Sequence, residues 1–173
     1  EFLGLAYWRE KKLPVVIVRL FNVIGPRQTG AYGMVVPTFV QQALQNQPIT
    51  VFGSGTQTRC FADIDDVVPA LIKLMKTKKG EGEVFNLGSD REISINQLAR
   101  LVKKITQSRS PIVHISYKRA YREGYEDMKH RIPDLRKIKK LIGYKPKVTL
   151  EESIKKIIEY FKGNSKCKMK NAK

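Results

Sequence analysis

Two segments of the chain place polar side chains where an apolar run ends, and both could bind a ligand. The first is RLFNVIGPRQTG, in which Asn22 follows directly on an apolar run that ends at Phe21. Ligands of open α/β sheets bind outside the carboxyl ends of the strands, so a carboxamide there can donate to a phosphate or sugar oxygen. The residues alone also allow a turn in which the Asn22 side chain only stabilises the loop.

The second segment, ITVFGSGTQTRCFADIDD, joins a strand that ends at Phe52 to a glycine-rich turn. Arg59 and Phe61 alternate on the extended stretch that follows, and a period of two puts them on one face. A guanidinium beside an aromatic ring suits the phosphate and the base of a nucleotide. The turn does not have the closing Gly-Lys-Ser/Thr of a Walker loop, and an ordinary hairpin with its Phe side chains in the core is the alternative.

A third segment, YREGYEDMKHRIPD, mixes acidic and basic residues without an apolar period, and taken alone it is typical of a solvated loop. The two histidines, His114 and His130, lie in no HExxH or Cys/His spacing, which argues against a metal site. The motifs GxGxxG and GxSxG do not occur, so the sequence indicates neither a Rossmann pyrophosphate loop nor a nucleophile elbow.

The elements that must position these residues alternate between apolar, strand-like runs and amphipathic helices. Such alternation predicts an α/β fold with a parallel or mixed sheet, followed by a smaller α/β lobe with short strands and long loops. Predicted strands cover residues 15–20, 49–52, 84–87 and 112–115, and predicted helices cover 1–12, 36–45, 65–77, 95–106, 135–142 and 150–161.

Start and stop signals set the ends of these helices. Ser94 with Gln97, and Thr149 with Glu152, predict capping boxes, because each pair can satisfy N–H groups at a helix start. Further signals are Asp63 or Asp65 as the cap of the third helix, Pro69 near its first turn, Asp134 as the cap of the fifth helix and Gly143 as its end.

The chain opens at Glu1 with a helical stretch that runs into Pro14 and the apolar run VVIVRL. Both elements need upstream partners, so we expect the C-terminal part of a larger α/β enzyme. No stretch approaches 18 consecutive apolar residues, and no membrane partner is expected. The two cysteines, Cys60 and Cys167, lie in different contexts and predict no disulfide, which favours a cytoplasmic location.

The formal net charge of +17 is unevenly distributed, since residues 101–173 carry 21 Lys and Arg against 7 Asp and Glu. A basic surface can bind nucleic acid. No aromatic interleaving or nucleic-acid-binding motif accompanies the charge, so a solvated surface is favoured and no specific nucleic-acid partner is expected. Residues 162–173 contain five lysines, no acid and no apolar period, and we expect them to form a disordered tail.

Four segments, in this order, resemble one family. RLFNVIGPRQTGAYGMVVPTFVQQAL, PITVFGSGTQTRCFADIDDVVPAL, EVFNLGS and PDLRKIKKLIGYKPKVTLEESIKKIIEYF are similar to the C-terminal half of extended short-chain dehydrogenase/reductases, in the NAD-dependent epimerase/dehydratase family. The nearest branch resembles the UDP-glucose 4-epimerase-like nucleotide-sugar epimerases. UDP-glucuronate decarboxylases and sugar-nucleotide 4,6-dehydratases are close to it.

This resemblance implies the C-terminal portion of a Rossmann-type NAD(P)-binding enzyme plus a small α/β substrate-binding lobe. Residues 1–33 would be the tail end of the Rossmann-type domain and its crossover loop. Residues 34–161 would be the nucleotide-sugar-binding region, with some elements returning to the sheet, before the tail at 162–173. By register, residues 1–12 resemble the helix that follows a Tyr-x-x-x-Lys pair. That pair and the glycine loop for NAD are therefore expected upstream, and no catalytic residue is assigned.

The resemblance also implies ligands, partners and a reaction. NAD would be the cofactor of the complete enzyme and a UDP-sugar its substrate. Its partners would be the missing N-terminal Rossmann portion and a second copy in a homodimer. The implied reaction is 4-epimerisation through a transient 4-keto sugar, and the alternatives are decarboxylation, 4,6-dehydration or a non-catalytic truncated product.

The implied site residues come from several segments. Two residues depart from the family pattern, Met34 in place of an Asn and Gly124 in place of an Arg. The implied contacts are Leu20 and Phe21 beside the nicotinamide, Asn22 at the sugar and phosphates, Val35, Val36 and Phe52 at the base, Arg59 at the diphosphate with Phe61 beside it, and Asp127 at the ribose.

Overall fold

The computed structural model describes residues 1–28, 30, 34–117 and 128–170, the last seven of them as backbone only. Asp127 therefore lies outside the described residues. In chain order the elements are α1 (Phe2–Lys11), β1 (Ile17–Leu20), β2 (Val23–Ile24), α2 (Val35–Leu44), β3 (Ile49–Phe52), β4 (Thr58–Cys60), β5 (Ala62–Asp63), α3 (Ile64–Met75), a 3₁₀ turn (Lys78–Gly80), β6 (Val84–Leu87), β7 (Glu92–Ser94), α4 (Ile95–Thr106), β8 (Ile112–Ile115), α5 (Arg136–Ile142) and α6 (Leu150–Lys170).

The chain divides into two units, each built from three segments. Two later segments belong with the N-terminal segment in this division. The physical reason is that β1 pairs with β6 and not with a strand close to it in sequence. The first unit comprises Glu1–Val23, Cys60–Glu92 and Ile132–Val148, and the second comprises Ile24–Arg59, Ile93–Arg131 and Thr149–Lys173.

In the first unit, β1 and β6 form a parallel pair, in register from Ile17 opposite Val84 to Leu20 opposite Leu87. Parallel strands need a crossover connection, and α3 lies within the one used here. Helices α3 and α5 pack together, and α5 also packs on β6. The buried core of this unit consists of Ala62, Val67, Ala70, Leu74, Phe85, Leu87, Leu135, Ile138, Ile142 and Tyr144.

A buried tyrosine ties the segment after α5 to the end of β6. Tyr144 is 7% exposed, and its hydroxyl donates to the carbonyl oxygen of Gly88 at 2.8 Å. Burial raises the pKa of Tyr144 to about 12, and the negative charges of Asp66 and Asp90 add to the shift. The Asp66 carboxylate also accepts the backbone N–H groups of residues 147–148, each at 2.9 Å. These contacts hold the segment after α5 in place.

Helix α3 begins at a side-chain cap and contains a proline. Asp63 is the cap of the two candidates, since its side chain accepts the N–H of Asp65 at 2.9 Å. Pro69 is the sixth residue of the helix, one residue deeper than the predicted start at 65 implies, and its ring removes one intrahelical hydrogen bond. Burial of Val67, Ala70 and Leu74 on one face offsets that loss.

In the second unit, β3 and β8 form a parallel pair from Ile49 opposite Ile112 to Phe52 opposite Ile115. Helices α2, α4 and α6 pack against one another, and α2 and α4 also contact β3. Helices packed on parallel strands confirm the predicted α/β class. The core of this unit includes Val36, Phe39, Val40, Ala43, Ile49, Val51, Leu98, Ala99, Val102, Ile154 and Ile157.

The two predicted capping boxes are confirmed. The Ser94 hydroxyl accepts the N–H of Gln97 at 3.2 Å, and the Gln97 side chain accepts the N–H of Ser94 at 3.0 Å. In the second box, the Thr149 hydroxyl accepts the N–H of Glu152 at 3.2 Å, and the Glu152 carboxylate accepts the N–H of Thr149 at 2.7 Å. Gly143 ends α5 with a left-handed φ of 68°, as predicted.

The start of α5 differs by one residue from the prediction, because its N-cap is Leu135. Asp134 still accepts the N–H of Arg136 at 2.9 Å and forms an ion pair with its guanidinium at 2.6 Å. The hydrogen bond from Arg136 lowers the pKa of Asp134 to about 2. The carboxylate thus satisfies a first-turn donor from just outside the helix.

Two further differences concern polar segments. Strand β2 pairs with β5, and strand β7 pairs with β4. The sequence of β7 has only one apolar residue and predicts no strand. Helix α6 continues to Lys170 and so includes most of the segment expected to be disordered. Lysine has a good helix propensity, and extending an existing helix needs no new nucleation. Among the described residues, no helix is long and apolar enough to cross a membrane.

Replacing Tyr144 by Phe should lower the free energy of unfolding by about 1–3 kcal/mol, because the buried carbonyl of Gly88 loses its donor. The raised pKa favours the neutral phenol in the folded state. Wild-type stability should therefore fall as the pH rises from 10, the ordinary pKa of the phenol, to 12. Urea unfolding of both proteins across this range should show the extra loss only in the wild type. Equal pH profiles would contradict the prediction.

Candidate functional site

Leu20 and Phe21 lie at the carboxyl end of β1, in the first unit. The N–H of Phe21 donates to the carbonyl of Leu87 at 2.9 Å, which continues the parallel ladder beyond the strand. Gly88 approaches closely, since a Cβ there would lie 2.7 Å from the Cβ of Phe21. The Leu20 side chain is 49% exposed. This edge of the β1–β6 pair therefore presents apolar surface.

Asn22 adopts a left-handed backbone conformation, with a φ of 38°. Its Nδ2 donates to the carbonyl oxygen of Cys60 at 2.9 Å, and its own carbonyl accepts the N–H of Ala62 at 3.2 Å. These two bonds hold the backbone on both sides of Phe61. The stabilising role foreseen as an alternative is thus present. A primary amide has two N–H donors and an acceptor, so this anchoring is compatible with a second contact.

Phe61 is half-buried between Cys60 and Ala62, which are 0% and 1% exposed. Burial alternates here as expected for an extended segment. Burial raises the pKa of the Cys60 thiol to about 11, with smaller effects from Glu92 and Asp90. Such a thiol is neutral at pH 7, and Cys60 is a core residue.

The sequence contains two Tyr-x-x-x-Lys spacings, which the expectation of an upstream pair does not account for, and the second, at Tyr125 and Lys129, begins outside the described residues. The first is formed by Tyr7 and Lys11. Both residues lie in the second half of α1. The adjacent Trp8 packs on Gly82, just before β6 begins, whereas Glu1 forms an ion pair with Arg19 at 2.6 Å. The C-terminal half of α1 is therefore at the amino ends of the strands. Tyr7 and Lys11 lie away from the edge that carries Leu20 and Phe21.

In the second unit, Val35 and Val36 open α2 after the N-cap Met34. Val36 is 1% exposed and belongs to the core, while Val35 is half-buried. The Thr38 hydroxyl donates to the carbonyl of Met34 at 2.8 Å and fixes the helix start. Of the two valines, only Val35 has a side chain that is partly accessible.

Phe52 ends β3 and is half-buried. The turn after it, residues 53–57, depends on two glycines, Gly53 and Gly55, with φ values of 67° and 69°. The Gln57 side chain folds back, and its Nε2 donates to the carbonyl oxygen of Phe52 at 3.1 Å. The turn therefore holds the end of β3 through a side chain of its own.

Arg59 is half-buried, and its Nη1 donates to two backbone carbonyls, of Thr58 at 2.7 Å and of Met128 at 2.8 Å. Thr58 holds the same distant segment, because its N–H donates to the carbonyl of Lys129 at 2.9 Å. The Thr58 hydroxyl also lies 3.0 Å from Nδ1 of His130. The structure thus brings Arg59 to the residue that follows Asp127.

Two residues of this region carry no prediction from the sequence, Gln57 and Tyr117. The Nε2 of Gln57 donates to the Tyr117 hydroxyl at 2.8 Å. Gln57 belongs to the glycine-rich motif, so its place in the turn was a usable signal. Tyr117 follows β8 by two residues, and nothing in its neighbourhood indicates a contact with a turn 60 residues earlier.

A family profile matches half of this chain. Residues 2–88 match the NAD dependent epimerase/dehydratase family. Over 151 residues the chain is 41% identical to the UDP-N-acetyl-alpha-D-glucosaminuronate decarboxylase of Bacillus cytotoxicus, which covers 87% of this chain and 47% of that protein.

Solved structures show the same likeness. The UDP-glucose 4-epimerase of Thermotoga maritima, solved with UDP-glucose, is 36% identical with a TM-score of 0.82, covering 92% of this chain and 50% of that one. The UDP-glucuronic acid 4-epimerase of Bacillus cereus, in complex with UDP-glucuronic acid and NAD, is 30% identical with a TM-score of 0.83, covering 94% and 50%. The chain spans about half the length of the proteins it matches.

Substitutions at Asn22 should separate its two structural contributions. Asn22→Gly keeps the left-handed backbone and removes the bond to Cys60, so unfolding should become easier by about 0.5–1.5 kcal/mol. Asn22→Ala adds the strain of a Cβ in that conformation, about 1–2 kcal/mol more. Denaturant unfolding of the three proteins measures both steps. An alanine variant as stable as the glycine variant would contradict the left-handed conformation.

Proposed function

We propose, on the premise that the chain belongs to the NAD-dependent epimerase/dehydratase family, that it supplies the substrate-binding part of an enzyme that acts on a UDP-sugar. The supporting comparison is the likeness to a UDP-sugar decarboxylase and to UDP-sugar epimerases. The sequence resemblance to this family is confirmed. The proposed ligand is the nucleotide sugar, and the proposed contacts are those that the resemblance implies.

The observation that carries the proposal is the placement of Arg59. Both hydrogens of its Nη1 are directed at backbone carbonyls, which fixes the plane of the guanidinium. A planar, pre-oriented guanidinium can bind a diphosphate at little entropic cost. The bond also joins Arg59 to Met128, the residue that follows the proposed ribose contact Asp127 in the sequence. One contact would thus organise two ligand-binding positions.

Phe52 and Asn22 would complete the substrate contacts in their respective units. Phe52 is half-buried at the end of β3, so part of its ring is accessible for packing against a planar base. Asn22 would donate to phosphate or sugar oxygens while its anchored N–H keeps the side chain oriented. Val35 would line the base with its partly accessible side chain, and Val36 would act only through its backbone.

The first unit fits the nicotinamide end of NAD. Leu20 offers an exposed apolar side chain at the carboxyl end of β1, and the N–H of Phe21 is held by Leu87, so the edge is rigid and apolar. Such a surface suits the flat face of a nicotinamide ring. When bound, NAD+ would accept a hydride from C4 of the sugar. Leu20 and Phe21 would only orient the ring and exclude water.

We propose decarboxylation of a UDP-uronic acid as the reaction of the whole protein, with 4-epimerisation as the second candidate. Decarboxylation is favoured by the 41% identity to a decarboxylase, compared with 36% and 30% for the two epimerases. The two reactions share their binding requirements. Oxidation at C4 makes a C5 carboxylate a β-keto acid, which loses CO2 as the C5–C6 bond breaks and C5 is protonated. A 4-keto sugar without that carboxylate cannot lose CO2, so its carbonyl is reduced again or water is eliminated across C5 and C6.

Arg59→Ala should weaken binding of UDP-glucuronic acid by about ten- to a hundredfold, because a charge-assisted contact to the diphosphate is lost. The affinity of Arg59→Lys should lie between those of the wild type and of Arg59→Ala, since lysine keeps the charge and loses the planar fork. Isothermal titration with the 173-residue chain measures each affinity.

Arg100→Ala is the matched control, because Arg100 is an exposed arginine on α4 of the same unit. Its affinity should equal that of the wild type. An Arg59→Ala variant that binds like the wild type would remove Arg59 from the site. Absence of any UDP-sugar binding by the wild-type chain would overturn the proposed function itself.

The products distinguish the two reactions. For an active enzyme that carries this chain, incubation with NAD and UDP-glucuronic acid should release CO2 and form a UDP-pentose. Mass spectrometry and trapping of labelled CO2 measure both. Formation of a UDP-hexuronic acid epimer without CO2 would establish the second candidate instead.

A further inference from the structure

We infer that Tyr117 is a positioning residue for the base-binding end of β3, and that it acts through the carboxamide of Gln57. The inference rests on the proposed function, because it assigns Phe52 to the nucleotide base. Tyr117 itself is given no contact with the ligand. Its effect would be on where Phe52 lies.

The turn between β3 and β4 determines the spacing of two proposed ligand contacts. Phe52 precedes this turn, and Arg59 follows it by two residues. Both lie in the second unit. With left-handed glycines at positions 53 and 55, the turn has a backbone shape that few other residues adopt. Anything that holds this turn therefore also holds the distance between the base-binding and diphosphate-binding side chains.

Gln57 connects this turn to Tyr117. One nitrogen, Nε2, donates to the carbonyl of Phe52 at 3.1 Å and to the hydroxyl of Tyr117 at 2.8 Å. Because Nε2 carries two hydrogens, both bonds can exist together. The Tyr117 hydroxyl thus orients the Gln57 carboxamide, which in turn holds the backbone carbonyl of Phe52.

The ring of Tyr117 lies close to the backbone of Gly53, the residue after Phe52. A Cβ built at Gly53 would collide with the Tyr117 ring, so the absence of a side chain at Gly53 is what admits the ring. The N–H of Gly53 donates to the carbonyl of Ile115 at 2.8 Å, which extends the β3–β8 ladder to this point. The register of the β3–β8 pair therefore brings Tyr117 next to Gly53, the residue after Phe52.

The other side of the turn is fastened by different residues. Asn96 donates through its backbone N–H to Gly55 and through Nδ2 to Ser54, each at 2.9 Å. Its Oδ1 lies 2.9 Å from Nε2 of His114. These bonds end on the middle of the turn and none of them reaches Phe52. His114 therefore provides a control that loosens the same turn from the other side.

The test measures UDP affinity and stability for four variants of the 173-residue chain. Tyr117→Phe should raise the Kd for UDP about three- to tenfold, the range expected for one hydrogen bond. Gln57→Ala should do the same or more, and the double variant should be no worse than Gln57→Ala, because the two residues act in series. His114→Thr, which removes one bond on the far side, should leave the Kd unchanged.

The outcomes separate this inference from the proposed function. A Tyr117→Phe variant that loses stability but keeps the wild-type Kd would overturn the positioning role and leave the UDP-sugar proposal intact. Additive effects of Tyr117→Phe and Gln57→Ala would overturn the serial coupling. A wild-type chain that binds no UDP would overturn both. A raised Kd in Tyr117→Phe, with a loss of stability no larger than that of one hydrogen bond, is the result we expect.

Discussion

Parallel pairing between strands far apart in the sequence is the constraint on which the rest of this structure depends. A parallel pair cannot be closed by a tight turn, so β1 reaches β6 and β3 reaches β8 only after long stretches of chain. The intervening chain builds helices that cover the strands, and it must pass from one unit to the other more than once. The proposed ligand contacts are consequently spread over segments that are distant in sequence.

Much of this architecture could be predicted from local patterns. Apolar runs gave the strands at 49–52, 84–87 and 112–115 with their observed bounds, and the capping boxes gave the starts of α4 and α6. Strand β7 escaped prediction because its pairing with β4 is a tertiary contact and its own sequence is polar. Pro69, expected near the first turn of α3, is its sixth residue, and burial of one face of the helix offsets the hydrogen bond that its ring removes.

The candidate site was predictable in its residue types and not in its partners. The position of Asn22 at a strand end and of Arg59 after a glycine-rich turn pointed to ligand contacts. Their actual hydrogen bonds are with Cys60 and Met128, which no local pattern links to them. Both side chains therefore serve the fold, and the anchoring is also what would orient them toward a ligand. The structural and the functional interpretation are not exclusive at these two positions.

The interleaving of the units has a consequence for how the chain would fold as it is synthesised. Neither unit can close its core before its third segment is available, because the first needs residues 132–148 and the second needs α6. Long sequence separations between contacting strands slow folding, because the entropy lost in loop closure comes before the contacts that offset it. The early segments must wait for β6 and β8, the strands that pair with β1 and β3. Exposed strand edges are prone to aggregation, so late closure of the two units would lengthen the time in which the chain can aggregate.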